Sequence, residues 1–342
     1  MITEFIKTED LSREETLVRI GETLRNDGIV AIPTETVYGL AANALSDEAV
    51  KKIFTAKGRP QDNPLIVHIG ELDELYPLVS EVPEKALMLA QKFWPGPLTI
   101  ILKKSDAVCE SVSAGLDTVA VRMPSHPVAR AIIKASGVPL AAPSANVSGK
   151  PSPTTAEHVL HDMNGRIDMI VDGGESAVGV ESTVITLCTE KPRLLRPGGI
   201  TLEQLRSVIG EVELDNAVFN ELQKNEKPSS PGMKYKHYSP DADVLIVRGD
   251  LSGLVKLAES CDKDRTAVFC FDGEEASFPN KTYSLGDRND PVEHAHRIFD
   301  LLRKADEENF TKILVHCPPK DGVGMAVMNR LLRAAAFNVI EV

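Results

Sequence analysis

The chain has 342 residues, 42% hydrophobic and 26% charged, the balance expected of a soluble globular protein with two ordinary domains. Its 38 Lys and Arg against 50 Asp and Glu leave a formal net charge of −12, which argues against strong direct nucleic-acid binding but leaves small anionic ligands open. No apolar run reaches the roughly 18 residues of a membrane span, the acidic start MITEFIKTEDLSREE lacks a signal-peptide layout, and five scattered cysteines form no C-x-x-C pair.

A cytoplasmic protein without a zinc site or disulfide framework is therefore expected. In chain order, LSREETLVRIGETLRND reads as an amphipathic helix with Leu17, Ile20 and Leu24 on one stripe. GIVAIPT is a buried strand stopped by Pro33. Ser46 caps a second helix, DEAVKKIFTAK, and Gly58 ends it. PLIVHI, PLTIILKK, DTVAVRM, PLAAPSA, IDMIVDG and ESTVITL follow as strands, with helices at EKALMLAQKF, PVARAIIKAS and TTAEHVLHDM. Thr201 and Gln204 form a capping box ahead of LEQLRSVIG.

Between 211 and 240 the pattern lapses into a polar, proline-bearing stretch that reads as a linker. Strand and helix signals then alternate through DADVLIVRG, LSGLVKLAESC, TAVFCF, PVEHAHRIFDLLRKADEENF, TKILVHC and GMAVMNRLLRAAA. That alternation predicts a small, mostly parallel α/β domain. His158 and His161 stand at helical spacing, but no third ligand lies near them, so a solvated helix face is the better reading.

Two nucleotide loops fail. GVGMAV lacks the third glycine of G-x-G-x-x-G. SANVSGKP has Ser144 for the first P-loop glycine and Pro151 for the magnesium-binding Ser/Thr.

The cations are more informative. Lys57 and Arg59 flank Gly58, where they can simply complement the helix dipole, worth about 0.3–1 kcal/mol. Pro60 and Pro64 then stiffen the path that carries Arg59 and Asn63. His68 lies on the opposite face of its strand from Leu65, Val67 and Ile69, either as a satisfied core histidine or facing a cleft. Arg122 ends an apolar strand and requires an anionic partner, either one of the chain's own carboxylates or a ligand carboxylate or phosphate. APSANVSGKPSPTT offers more hydroxyl and amide donors than capping needs. Glu181, Ser182, Thr183 and Arg196 sit at further strand ends that can line one pocket.

PTETVYGL, KGRPQDNPLIVHI, WPGPLT, APSANVSG, GVESTVI and LRPGG, in this order, together resemble the threonylcarbamoyl-AMP synthases, the YrdC-like enzymes of tRNA modification. SPGMKYKHYSP and GMAVMNRLLRAA resemble the longer, two-domain branch. The resemblance implies an α/β fold with a YrdC-like twisted mixed sheet around a concave cavity in residues 1–210. A linker or lid at 211–240 and a smaller Rossmann-like parallel α/β domain at 241–342 complete it. The implied reaction joins L-threonine, bicarbonate (or CO2) and ATP into L-threonylcarbamoyladenylate with release of pyrophosphate. Mg2+ accompanies the ATP, and a downstream transferase modifies adenosine 37 of ANN-decoding tRNAs.

By the same resemblance Lys57 and Arg59 form the K-x-R motif that neutralises the triphosphate. Asn63, Thr118, Ser144, Asn146, Ser152, Arg196 and Tyr235 join Arg59 around ATP. Thr36, His68, Arg122, Ala142 and Ser182 surround L-threonine. No metal ligand among the side chains is implied. The competing expectation is a non-catalytic binding module for structured RNA such as tRNA, which the net charge disfavours.

Overall fold

In the computed structural model, which describes residues 2–12, 14–220 and 238–342, the alternating signals resolve into two compact units. The first holds the described residues up to Ser148 together with Ser152–Val218. The second holds Gly149–Pro151 and the described residues from 238 onward. No helix among the described residues is long and apolar enough to cross a membrane.

The strands of the first unit are β1 (Glu4–Ile6), β2 (Val30–Ile32), β3 (Gly39–Asn43), β4 (Ile66–His68), β5 (Leu98–Lys103), β6 (Thr118–Arg122), β7 (Leu140–Ala141), β8 (Met169–Val171), β9 (Thr183–Thr186), β10 (Arg193–Arg196) and β11 (Glu213–Leu214). They form one mixed sheet in the order β1-β8-β2-β3-β7-β4-β6-β5-β9-β10-β11. Its helices are α1 (Glu14–Arg25), α2 (Asp47–Lys57), α3 (Glu84–Phe93), α4 (Glu110–Ser113), α5 (Pro127–Ser136), α6 (Ala156–Met163) and α7 (Leu202–Ile209).

The caps behave as their side chains dictate. Ser46 accepts from the Ala49 N–H at the start of α2. Gly58 takes the left-handed conformation at its end (φ 62°), where its own N–H closes onto the Phe54 and Thr55 carbonyls. This C-cap launches Arg59 away from the helix axis toward β4. Helices α1 and α5 lie side by side, burying Ile20, Leu24, Ile132 and Ile133 against Val30, Ile32, Leu140 and Val171. Each such side chain contributes about 1.5–3 kcal/mol.

One sheet strand carries no strand signal. GLAAN is made of small residues of low β propensity, yet it forms β3 because β2 and β7 cover both its edges. Its antiparallel pairing with β2 turns PTETVY into the connecting loop, which places Thr34, Glu35 and Thr36 at the end of the sheet. The predicted linker also begins later than its composition suggests. β11 pairs with β10, and Ala217 and Val218 are buried, so the first unit continues through Val218. Residues 221–237, with Tyr235, lie outside the described residues.

The second unit contains β12 (Asp243–Arg248), β13 (Thr266–Cys270), β14 (Lys281–Ser284), β15 (Lys312–His316) and β16 (Val339–Glu341), all parallel in the order β14-β13-β15-β12-β16. Helices α8 (Leu251–Glu259), α9 (Pro291–Glu307) and α10 (Gly324–Ala334) accompany them. The unbroken apolar runs of β13 and β15 suit strands buried on both faces. The two edge strands, β14 and β16, are short and partly polar, which is why the sequence pattern misses them.

The contact between α1 and α5 depends on Gly21, where a Cβ would lie 2.4 Å from the Ala135 carbonyl oxygen. Alanine there gains about 1 kcal/mol of helix propensity, against about 1–3 kcal/mol for overpacking on rigid backbone. Gly21→Ala should therefore lower the urea midpoint with an unchanged slope. A raised midpoint would mean that the two helices separate freely.

Candidate active site

Register across the sheet aligns side chains from five strands. His68 on β4 pairs with Arg122 on β6, Arg122 with Thr99 on β5, Thr99 with Val184 on β9, and Val184 with Arg196 on β10. Directly paired residues share a face, so this is one transverse row. Ser182, just before β9, joins it. Its Oγ lies 2.7 Å from Thr99 Oγ1 and accepts from Arg196 Nη2 at 3.1 Å, while Arg196 Nε donates to the Ser182 carbonyl at 3.1 Å. One pleat further along, Ile66, Ala120 and Ile101 make an apolar floor with Val184 and Leu195. Thr118 shares this face at the far end of β6, about 13 Å from Arg122 by strand rise.

The β2–β3 loop closes on the row. Arg122 Nη1 donates to Thr36 Oγ1 at 2.8 Å, and Nη2 lies 2.8 Å from Glu35 Oε1. Nε points to the Gly96 carbonyl at 3.4 Å. Thr34 and Thr36 hydroxyls are 2.9 Å apart. Thus the anionic partner that Arg122 demands is Glu35, a residue the sequence reading passes over. Burial alone would raise the Glu35 carboxyl, but the charge and donors of Arg122 outweigh it and hold the group below its ordinary value of 4.5.

His68 is driven the other way. Burial first, and the positive charge of Arg122 second, depress its pKa to about 3, so it is neutral at working pH. Nδ1 faces the Ile66 carbonyl at 3.2 Å; a neutral ring donates there and leaves Nε2 as an acceptor.

A second network lies beside the first, because the Ala142 N–H donates to the Ile66 carbonyl as the chain leaves β7. Lys57 is buried here. Its ammonium donates to the carbonyls of Ser144 and Asn146, the latter at 2.6 Å, and lies 3.4 Å from Asn146 Oδ1. Those contacts can engage all three ammonium protons. Ser144 Oγ donates to Asn146 Oδ1 at 2.6 Å. Backbone bonds from Leu40 to Pro143 and from Ala145 to Tyr38 stitch this loop to the one carrying Thr36.

The remaining residues form smaller groups. Arg59, half-buried above the Phe54 ring, donates to the Asn63 carbonyl at 3.2 Å. Asn63 is buried with no partner on Oδ1. Ser152 donates to Glu181, the neighbour of Ser182 in sequence. The fold thus brings Thr36, His68, Arg122, Ser182 and Arg196 into one network and Lys57, Ser144 and Asn146 into another. Ala142 lies between the two. Thr118 joins only by sharing the face, and Tyr235 falls outside the described residues. The sequence reading misses Glu35 and Thr99 and gives no partner to Glu181. The signal available for Glu35 was the unmet demand of Arg122 for an anion. Among the described residues no group of three or more His, Cys, Asp or Glu is placed to hold a metal.

Residues 22–198 match a family model described as telomere recombination, and residues 200–336 match that of the threonylcarbamoyl-AMP synthase C-terminal domain. A threonylcarbamoyl-AMP synthase of Bacillus subtilis is 49% identical over 339 residues, covering 98% of this chain and 97% of its own. One from Pyrococcus abyssi is 46% identical over 337 residues, covering 96% and 97%. The crystal structure of P. abyssi Sua5 complexed with L-threonine matches with a TM-score of 0.91 at 44% identity and covers 100% of both chains. Similarity of this extent, reaching both units, places the chain in the threonylcarbamoyl-AMP synthase family.

Proposed function

We propose that the two networks bind L-threonine and ATP for synthesis of L-threonylcarbamoyladenylate from L-threonine, bicarbonate (or CO2) and ATP, with release of pyrophosphate. The observation that carries this reading is the row from His68 to Arg196, in which two arginines and a neutral histidine meet hydroxyls on one face of the sheet. The relative of known structure has L-threonine bound.

Arg122 takes the substrate carboxylate, the anion best matched by a guanidinium fork. Thr36 and the Nε2 acceptor of His68 meet the substrate hydroxyl, and Ser182 and the Ala142 backbone complete that pocket. Arg196, Ser144, Ser152, Thr118, Asn63, Asn146 and Arg59 are assigned to the nucleotide, with Tyr235 of the linker as a lid residue. The threonine ammonium loses one proton before its nitrogen adds to CO2 and a second afterwards, which leaves a carbamate anion with one N–H. A carbamate oxygen then attacks the α-phosphorus, and pyrophosphate leaves. Both reactants are anions, so the site must supply fixed positive charge and exclude water. Lys57 acts in part through the loop, since its donors fix Ser144 and Asn146 and its charge adds to the field. Mg2+ arrives with the phosphates as their counter-ion; no protein ligand is assigned to it and no step runs through it. The product is an unstable mixed anhydride that a threonylcarbamoyl transferase consumes in the cytoplasm. Buried, internally engaged cations are poorly placed to neutralise a polynucleotide backbone, which disfavours the RNA-binding module.

Threonine, bicarbonate, ATP and magnesium together should yield pyrophosphate only when threonine is present; threonine-independent release would remove the substrate assignment. Arg59→Ala should cut turnover by about a hundredfold or more and shift stability by less than about 1 kcal/mol. Lys57→Ala should lose both turnover and stability, because its carbonyl partners are left buried and unpaired. Equal stability of the two variants would show that Lys57 does not order the loop.

His68 also makes a pH prediction. The unfolded ring binds its proton near 6.5 and the folded one near 3, so protonation favours unfolding in this window. Its contribution is complete above pH 6.5 and is lost as pH falls toward 3. Glu35 adds its own loss only below 4.5. Urea unfolding of His68→Gln should decline less steeply between pH 6.5 and 4.5 than the parent; identical slopes would sink the buried neutral assignment.

A further inference from the structure

Arg122 and Glu35 are both buried, and Arg122 Nη2 lies 2.8 Å from Glu35 Oε1. The pair joins one carboxylate oxygen, Oε1, to one guanidinium nitrogen, Nη2. The contact therefore takes up no more than one of the two Nη2 protons. The other anchors also leave donors over. Nη1 gives one proton to Thr36 and Nε its one to Gly96 O, and a guanidinium has five. Two N–H groups, one on Nη1 and one on Nη2, then remain for a ligand. A planar carboxylate needs two. A carboxylate gripping Nη1 and Nη2 together would instead compete with any ligand for the same fork.

We propose that Glu35 is a positioning residue for the threonine carboxylate: it holds Arg122 by an ion pair and offsets its charge before substrate enters, without occupying the two donors that the substrate uses. This rests on the reading that Arg122 receives that carboxylate. The loop supports such a role. Glu35 sits between Thr34 and Thr36, whose hydroxyls are mutually bonded, and its own carbonyl accepts from the Val178 N–H, so the carboxylate is carried on a fixed turn. With Arg122 paired and His68 neutral, the threonine side of the site holds no net charge from these three groups, which suits an amino acid entering as a zwitterion.

The test measures steady-state kinetics of Glu35→Gln and Glu35→Asp beside the parent, with (R)-3-hydroxybutanoate, threonine lacking its amine, as a competitive inhibitor. Glu35→Gln should raise KM for threonine about tenfold or more, with kcat within about threefold and KM for ATP unchanged. The inhibition constant of 3-hydroxybutanoate should rise by the same factor, since both ligands share the carboxylate. Glu35→Asp, which keeps the charge, should recover part of the loss. An unchanged threonine KM in both variants overturns the proposal. So does a loss confined to threonine, which would place Glu35 on the amine instead. If Glu35→Gln melts below the assay temperature, Glu35→Asp alone decides, by a raised or unchanged threonine KM. Arg122→Lys, run in parallel, separates the two readings: a threonine KM unaffected by that change refutes the carboxylate assignment itself.

Discussion

The guanidinium of Arg122 is the constraint around which the first unit is arranged. A charge at the end of an apolar strand, buried to a few per cent exposure, is costly unless opposed and hydrogen-bonded. The chain opposes it with Glu35, delivers Thr36 from the same loop, and adds the Gly96 carbonyl from another. Thr36 lies 86 residues from Arg122, so satisfying one side chain ties the β2–β3 connection to the centre of the sheet. The same charge also helps to hold His68 neutral, which fixes what that ring can offer a ligand.

A comparable logic operates at Lys57. Its ammonium is inserted under a loop of carbonyls and cross-links Ser144 and Asn146 to the end of α2. The two buried cations thus act as structural nodes as well as sources of field. The loops they hold are bonded to one another through Leu40, Pro143, Tyr38 and Ala145, so both nodes belong to one hydrogen-bonded framework. The apolar floor of Ile66, Ala120 and Ile101 beside the row supplies the low-polarity surroundings in which fixed charges are strongest.

Much of this was legible from residues alone where the physics is local. The Ser46 and Gly58 caps of α2, the Thr201–Gln204 box and the His68 side of β4 follow from propensity and period, and each is found as expected. The blocks that carry the family resemblance located nearly every residue of the two networks. Local pattern failed for β3, whose glycine and alanines pair only because neighbouring strands cover them. It failed again at β11, where a polar stretch that reads as tether still adds to the sheet.

By itself the sequence determined the longer helices with the caps of α2 and α7, the alternating α/β order, the family and the need of Arg122 for an anion, because these depend on neighbours a few residues away or on the identity of one side chain. Which carboxylate answers that need, that Lys57 turns inward onto backbone carbonyls, and that five strands set His68, Arg122, Thr99, Val184 and Arg196 in one line with Ser182 beside them were decided only by the tertiary structure. Strand register and loop docking bring together groups far apart in the chain, and no local periodicity encodes which of several available partners lies within 3 Å.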